Sequence, residues 1–223
     1  TGVQTCALPI YRPEQRNPQT PATWSALAGI GEAVRTDTQL RTVIITGRGP
    51  SFSAGLDRRM FTPEGIPGQP SLASIARESD ARLDEFIQAA QAAFTWWREV
   101  RPLTIAAVRG HAVGAGFQLA LACDLVVAAP DAQFAMRETS YGLVPDLAGT
   151  WPLVNTVGYP KALEMCLTGR SVTAEEAWQC GLAARISEDP VAGALELAES
   201  VRRTPAGAAT DLKTLLRDAA MRT

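Results

Sequence analysis

Residues able to do chemistry concentrate in three segments: PSFSAGLD at 50–57, RGHAVGAGFQLALACDL at 109–125 and AQFAMRETSYGLVPDLAGT at 132–150. In the second, a strand runs through Gly114-Ala115-Gly116 into a short helix. Unbonded backbone N–H groups and the positive end of the helix dipole then face whatever lies ahead of it, which makes an anion site. In the first, Gly55 permits a tight turn after a strand and can bring a second N–H opposite the first. Glu138 is a carboxylate of the third segment. Gln118 lies one turn into its helix with its side chain pointing back toward the anion site. Asp146 follows Glu138, but Gly142 and Pro145 intervene, so helical spacing does not say whether the two acids converge. Asp146 reads equally well as a cap on a helix beginning near Gly149.

Other chemistries are disfavoured by what the chain contains. His111 is its only histidine, so a triad or a multi-histidine metal site would have to be built around one residue. No GxSxG surrounds Ser53, and His111 reads as a turn residue beside a strand end. A dinucleotide fingerprint fails because GxGxxG would need glycine where Leu119 stands. The four cysteines, Cys6, Cys123, Cys166 and Cys180, have neither CxxC nor metal spacing. The apolar surroundings of Cys123 and Cys166 suggest buried thiols in a reducing cytoplasm. No metal site is expected.

The elements that must position these residues follow from periodicity. The chain has 223 residues, 46% of them hydrophobic and 20% charged, with a net charge of −2; it can build a real core and carries no basic footprint for nucleic acid. Its longest apolar stretch, Leu119 to Pro130, is broken by Asp124 and falls far short of the ~20 residues of a membrane helix. Helices are predicted at Pro21–Arg35 with Thr20 as N-cap, Glu78–Val100, Ala115–Ala122, Lys161–Leu167, Ala174–Cys180 behind Thr173, and Val191–Arg203. Strands are predicted at Arg41–Gly47, Leu103–Val108, Asp124–Ala129 and Ala132–Met136. The segment from Met60 to Ala76 is rich in proline and glycine and reads as a mobile loop. Strands and helices alternating in this way argue for an α/β fold of right-handed turns.

Together with RPEQRN at 12–17 and TAEEAWQCGLAARI at 173–186, the three segments resemble the crotonase family, the enoyl-CoA hydratases and isomerases. The resemblance implies a spiral of ββα turns over residues 11–190, followed by the start of a C-terminal helical region at 191–223. It implies an acyl-CoA thioester as substrate, coenzyme A as part of that substrate, and no separate cofactor. It implies that the amides of Ala54 and Ala115 form an oxyanion hole for a thioester enolate, worth about 3 to 4 kcal/mol per donor. Ser53, Gly55, Asp57, Gly114 and Gly116 would line the substrate. Hydratases of the family hold a water between two glutamates. Here the second is Glu138 and the first is replaced by Gln118, which can hold a water but cannot exchange a proton. Because moving a double bond needs only one base, isomerisation is expected over hydration. Asp146 matches an aspartate of dienoyl-CoA isomerases. Arg58 and Arg59 are candidates for coenzyme A phosphates, and the Trp96-Trp97 helix with the adjacent loop for walls of the acyl pocket. A non-catalytic acyl-CoA-binding homologue, its site lost at Gln118, is the alternative.

The ends of the chain carry two further expectations. Residues 1–10, TGVQTCALPI, lack strand alternation and helix period and read as a non-native, adapter-like segment. The stripe of Leu212, Leu215 and Leu216 suggests a helical region cut short. The resemblance implies a homotrimer or hexamer for the full-length protein, so the present chain is expected to expose an apolar face.

Overall fold

The structure is a computed structural model that describes the backbone of residues 4–5 together with residues 12–222. Its helices are α1 (Pro21–Thr36), α2 (Leu72–Ile75), α3 (Asp80–Thr95), α4 (Ala115–Ala122), α5 (Thr150–Val157), α6 (Tyr159–Thr168), α7 (Ala174–Gln179), α8 (Pro190–Arg202) and α9 (Ala206–Ala220). Its strands are β1 (Gln4–Thr5), β2 (Thr42–Thr46), β3 (Leu103–Val108), β4 (His111–Val113), β5 (Leu125–Ala128), β6 (Gln133–Ala135), β7 (Val172–Thr173) and β8 (Arg185–Ile186).

Two sheets are wound by one repeated move. A strand runs in the larger, parallel sheet, ordered β1-β2-β3-β5-β8, and the chain then steps into the smaller sheet, ordered β4-β6-β7. Thus β3 is followed by β4 and then α4, and β5 by β6. After β2 the step is a single bridge, Ser53 beside Ala112. Ile44 stands in register with Ile105, and Ala107 with Val127, across the three central strands, and all four are fully buried. Their burial on a parallel sheet explains why these strands read as apolar runs rather than alternating ones. This is the ββα spiral that the sequence implies.

Local signals hold where the chemistry is short-range. Thr20 accepts from the Thr23 N–H and Thr23 reciprocates, a capping box that starts α1 at Pro21 as predicted. The α4 bounds match the expectation, and Thr173 caps α7. The longer helix predicted to Val100 instead ends at Thr95, and a 3₁₀ turn at Trp96–Arg98 follows. Trp96 and Trp97 stack with ring centroids 4.0 Å apart, both in the core.

Three expectations are corrected. Residues 60–76 are not featureless: Met60, Ile66 and Ser71 are buried, and Ser71 caps α2 by a capping box with Ser74. Gln4–Thr5, within the segment read as lacking strand character, pairs in parallel with Val43 and Ile44; a sheet edge binds backbone, whatever the side-chain pattern. Cys166 is half-buried, whereas Cys123 is buried as expected. Cys6 and the expected native start near Tyr11 lie outside the described residues.

Candidate active site

A cavity of ≈ 580 Å³ opens where the two glycine-rich turns meet, and Gly55, Leu56, Gly114, Ala115 and Glu138 line it. Gly114 turns β4 into α4 with φ +54° and ψ −123°, a conformation that a side chain would resist. A Cβ placed there would stand 3.5 Å from Oε1 of Glu138, an ordinary contact, so the carboxyl lies against the helix start while the backbone conformation is what calls for glycine. Gly55, at φ +89°, packs against the other side of the same turn. Its Cβ would fall 2.5 Å from the Val113 carbonyl oxygen and 3.5 Å from the Ala115 nitrogen. The turns are therefore in contact, and only glycine fits between them.

The first turn offers a different amide from the one expected. The N–H of Ala54 is donated to the Arg16 carbonyl at 2.8 Å, so it is already used. Gly55 gives its carbonyl to the Gln19 N–H at 2.7 Å, and Asp57 gives its N–H to the Gln19 carbonyl at 2.8 Å. In extended chain successive groups point to opposite edges, so the N–H of Leu56 between them faces away from Gln19. It has no partner among the described residues and borders the cavity. Leu56 thus replaces Ala54 as the exposed donor. The Ala115 N–H, at the first position of α4, likewise has no partner among the described residues.

Residues that sequence reasoning placed on the substrate instead brace these turns. The Ser53 hydroxyl is buried and donates to the Asn17 carbonyl at 2.8 Å. The buried carboxylate of Asp57 meets Arg12 at 2.7 Å and Arg59 at 2.8 Å, which holds it well below the ordinary carboxylate range. Arg59 is tied there, while Arg58 lines the cavity. Gly116 is packed on Ser53, with no room for a Cβ. Two polar residues went unnoticed in the sequence. Gln19 is fully buried; its Nε2 donates to the Ala115 carbonyl at 3.2 Å and its Oε1 accepts from Trp24 Nε1 at 2.9 Å. Asn17, also fully buried, donates to the Ser51 carbonyl at 2.8 Å. Both sit in a proline-rich loop where nothing in the local pattern marks a buried amide.

Glu138 opens a 3₁₀ turn after β6. Burial raises its pKa most; the hydrogen bond from Gln118 opposes that rise, and the charge of Asp146 adds to it. Oε1 accepts from Gln118 Nε2 at 2.7 Å, whereas Oε2 is buried with no partner among the described residues. Gln118 has its own oxygen occupied by the N–H groups of Leu147 at 2.9 Å and Gly149 at 3.3 Å, so that oxygen is not available to hold a water. Asp146 is exposed and makes no hydrogen bond to Glu138, though partial desolvation raises its own pKa. Nor does it cap α5, whose N-cap is Gly149 without a side-chain bond.

His111 belongs to β4 rather than to a turn; it lines the cavity and shares a hydrogen bond with Ser51 through Nδ1 at 3.1 Å. The Trp96-Trp97 pair does not border the cavity. Its aromatic rim is Phe61 and Tyr141, stacked at 5.4 Å, with Leu143 beside them. Among the described residues no cluster of metal-ligating side chains occurs, and no helix is long and apolar enough to cross a membrane.

A ββα spiral that joins two backbone turns and one buried carboxyl at a single cavity is the architecture of the crotonase class. The chain belongs to the enoyl-CoA hydratase/isomerase family, whose model matches residues 3–223. Among its relatives, 2,3-dehydroadipyl-CoA hydratase of Escherichia coli K12 is 35% identical over 198 residues, covering 88% of this chain and 71% of the relative. The (E)-benzylidenesuccinyl-CoA hydratase of Thauera aromatica is 34% identical over 180 residues, covering 80% and 64%. A Thermobifida fusca YX protein assigned as an enoyl-CoA hydratase, crystallised with CoA, is 44% identical with a TM-score of 0.85 over 93% of this chain and 79% of that one.

Proposed function

We propose that this chain isomerises enoyl-CoA thioesters through an enolate, with the amides of Leu56 and Ala115 as the oxyanion hole and Glu138 as the one proton carrier. The observation that carries this reading is the buried, unpartnered Oε2 of Glu138 beside the start of α4, opposite an amide at the other acid/base position. With a 3-enoyl thioester, Oε2 takes a proton from C2. The C–H electron pair passes into a dienolate whose charge rests on the thioester oxygen between the two N–H groups. The same proton returns to C4, the double bond is left between C2 and C3, and no oxidant, metal or redox cofactor enters the balance. Coenzyme A is part of the substrate, and Arg58 at the cavity edge is a contact for its phosphates.

Hydration is the second reading. The names of the Escherichia coli and Thauera aromatica relatives support it, as both are hydratases. Against it stands Gln118, which holds no ionisable proton and whose oxygen is already taken. A non-catalytic acyl-CoA binder has less support, because Glu138 and both turns are intact. In the cell we place the protein in the cytoplasm as a homotrimer or hexamer.

The test is to incubate the protein with 2-enoyl-, 3-enoyl- and dienoyl-CoA panels, including substrates with a second carboxylate, and to identify products by mass and NMR. Conversion of 3-enoyl to 2-enoyl thioester well ahead of any hydration is expected. Efficient hydration of crotonyl-CoA with no isomerisation would replace this reading by the second.

A further inference from the structure

We propose that Gln118 is a positioning residue for Glu138, locked by the peptide turn at 147–149 so that Oε2 is the only oxygen of Glu138 left to carry protons. The inference rests on the reading of Glu138 as the base and concerns how that base is set.

The lock is a matter of donors and acceptors. The N–H groups of Leu147 and Gly149 converge on one oxygen of the buried Gln118 side chain, at 2.9 and 3.3 Å. They can do so because Ala148 between them adopts φ +63°, a left-handed conformation uncommon for alanine, which turns both N–H groups to one side as a nest for negative charge. Two donors demand an acceptor, so the amide of Gln118 cannot flip. Its Nε2 must then donate, and at 2.7 Å it meets Oε1 of Glu138. That oxygen is held and its basicity reduced, while Oε2, buried and unbonded, keeps its lone pairs for the substrate. A Cβ at Gly149 would come within 2.7 Å of Gln118 Cγ, so the loop also presses on the side chain from above.

Other charges around Glu138 do not supply this function. Arg137 precedes it and lines the cavity with Arg16, Arg58, His111 and Tyr141. Asp146 acts on it from the loop before α5 and Cys166 faces it from α6, both without a hydrogen bond to its carboxyl. Gln118 is the only side chain among the described residues that donates to it.

The experiment has two readouts. The first is the pH profile of kcat and kcat/KM with 3-hexenoyl-CoA. The second is an infrared titration of the Glu138 carboxyl, read as a difference against Glu138→Gln, which needs no turnover. In Gln118→Met the infrared midpoint and the acid limb should both move to higher pH, and kcat should fall about 10- to 100-fold with KM little changed. Gln118→Glu should move the midpoint up as well, because two carboxyls at this distance must share one proton. Ala148→Val strains the lock without altering Gln118 and should shift the midpoint in the same direction, whereas Ala148→Gly, which tolerates the conformation, should leave it in place. An infrared midpoint unchanged in Gln118→Met and Ala148→Val would overturn the inference. If the midpoint shifts but the wild-type protein converts no enoyl thioester, the lock stands and the proposed reaction falls.

Discussion

Gln19 gives its side-chain N–H to the carbonyl of Ala115 while its backbone brackets Leu56 from both sides. One buried residue outside the cavity therefore joins the two amides that face into it. Its loss leaves the buried Trp24 indole N–H without an acceptor and takes one of two donors from the Ala115 carbonyl, which keeps its bond within α4. Gln19→Leu should destabilise the fold by about 1 to 3 kcal/mol, the cost of one abandoned buried group. Urea unfolding measures that cost. Thioester polarisation, read as the red shift of a bound cinnamoyl-CoA, should weaken in the fraction that stays folded. A full red shift in Gln19→Leu would show that the two turns hold their spacing without it.

Gly55 makes a stricter test of the same spacing. An alanine there would place its methyl 2.5 Å from the Val113 carbonyl oxygen at a φ of +89°. The turn must open to accept it and carry the Leu56 N–H away from Ala115. Gly55→Ala should lower kcat/KM by about 10²- to 10³-fold, the usual result of losing one oxyanion donor. The readout is steady-state kinetics beside circular dichroism, to confirm that the chain remains folded. Near-normal kcat/KM in a folded variant would exclude the first turn from the hole.

Where the signal was local, the sequence was legible. The Thr20 cap, the apolar runs of β3 and β5, the Gly114 turn into α4 and the candidacy of Glu138 can all be read within a few residues. The error at Ala54 has a different origin. Which amide of an extended segment is unbonded depends on what lies along its edge, and Gln19, with Arg16 beyond it, comes from a loop more than thirty positions earlier. Pairing of that range leaves no mark in the pattern of residues 50–57. The amide lock on Gln118 was hidden for the same reason, since it needs Ala148 in a left-handed conformation that glycine usually signals. The spacing of Leu212, Leu215 and Leu216 reads as helix, and they stand in α9, 56%, 67% and 63% exposed.

Beside those leucines on the same helix, Lys213 reaches Asp124 at 2.7 Å, with side chains 14% and 16% exposed, and also donates to the Pro102 carbonyl at 2.8 Å. Asp124 in turn accepts from the backbone and hydroxyl of Thr104 at the start of β3. Removing the ammonium leaves a largely buried carboxylate short of its counter-ion. Lys213→Met should cost about 3 kcal/mol, near the low end for breaking a buried pair. Hydrogen exchange should show α9 deprotected before the sheet. If α9 amides exchange as slowly in Lys213→Met as in the wild type, the helix is held by something other than this contact.

Glu138 should betray its burial through the pH dependence of stability. Its pKa in the folded chain lies above the ordinary 4.5. Between 4.5 and the raised value the native state binds more protons than the unfolded one, so stability falls as pH rises through that window and levels off above it. Glu138→Gln has no such titration. The variant should therefore be the more stable protein at neutral pH, with an advantage that shrinks to nothing as the pH is lowered toward 4.5. It should also lose about 10²- to 10⁴-fold in kcat while binding the thioester almost as before, as expected when one general base is removed. Urea unfolding of both proteins from about pH 4 to pH 8 follows the first effect. Isothermal titration with a substrate analogue follows the second. Parallel stability curves across that range would mean that the Glu138 carboxyl is as well solvated in the folded chain as in the unfolded one.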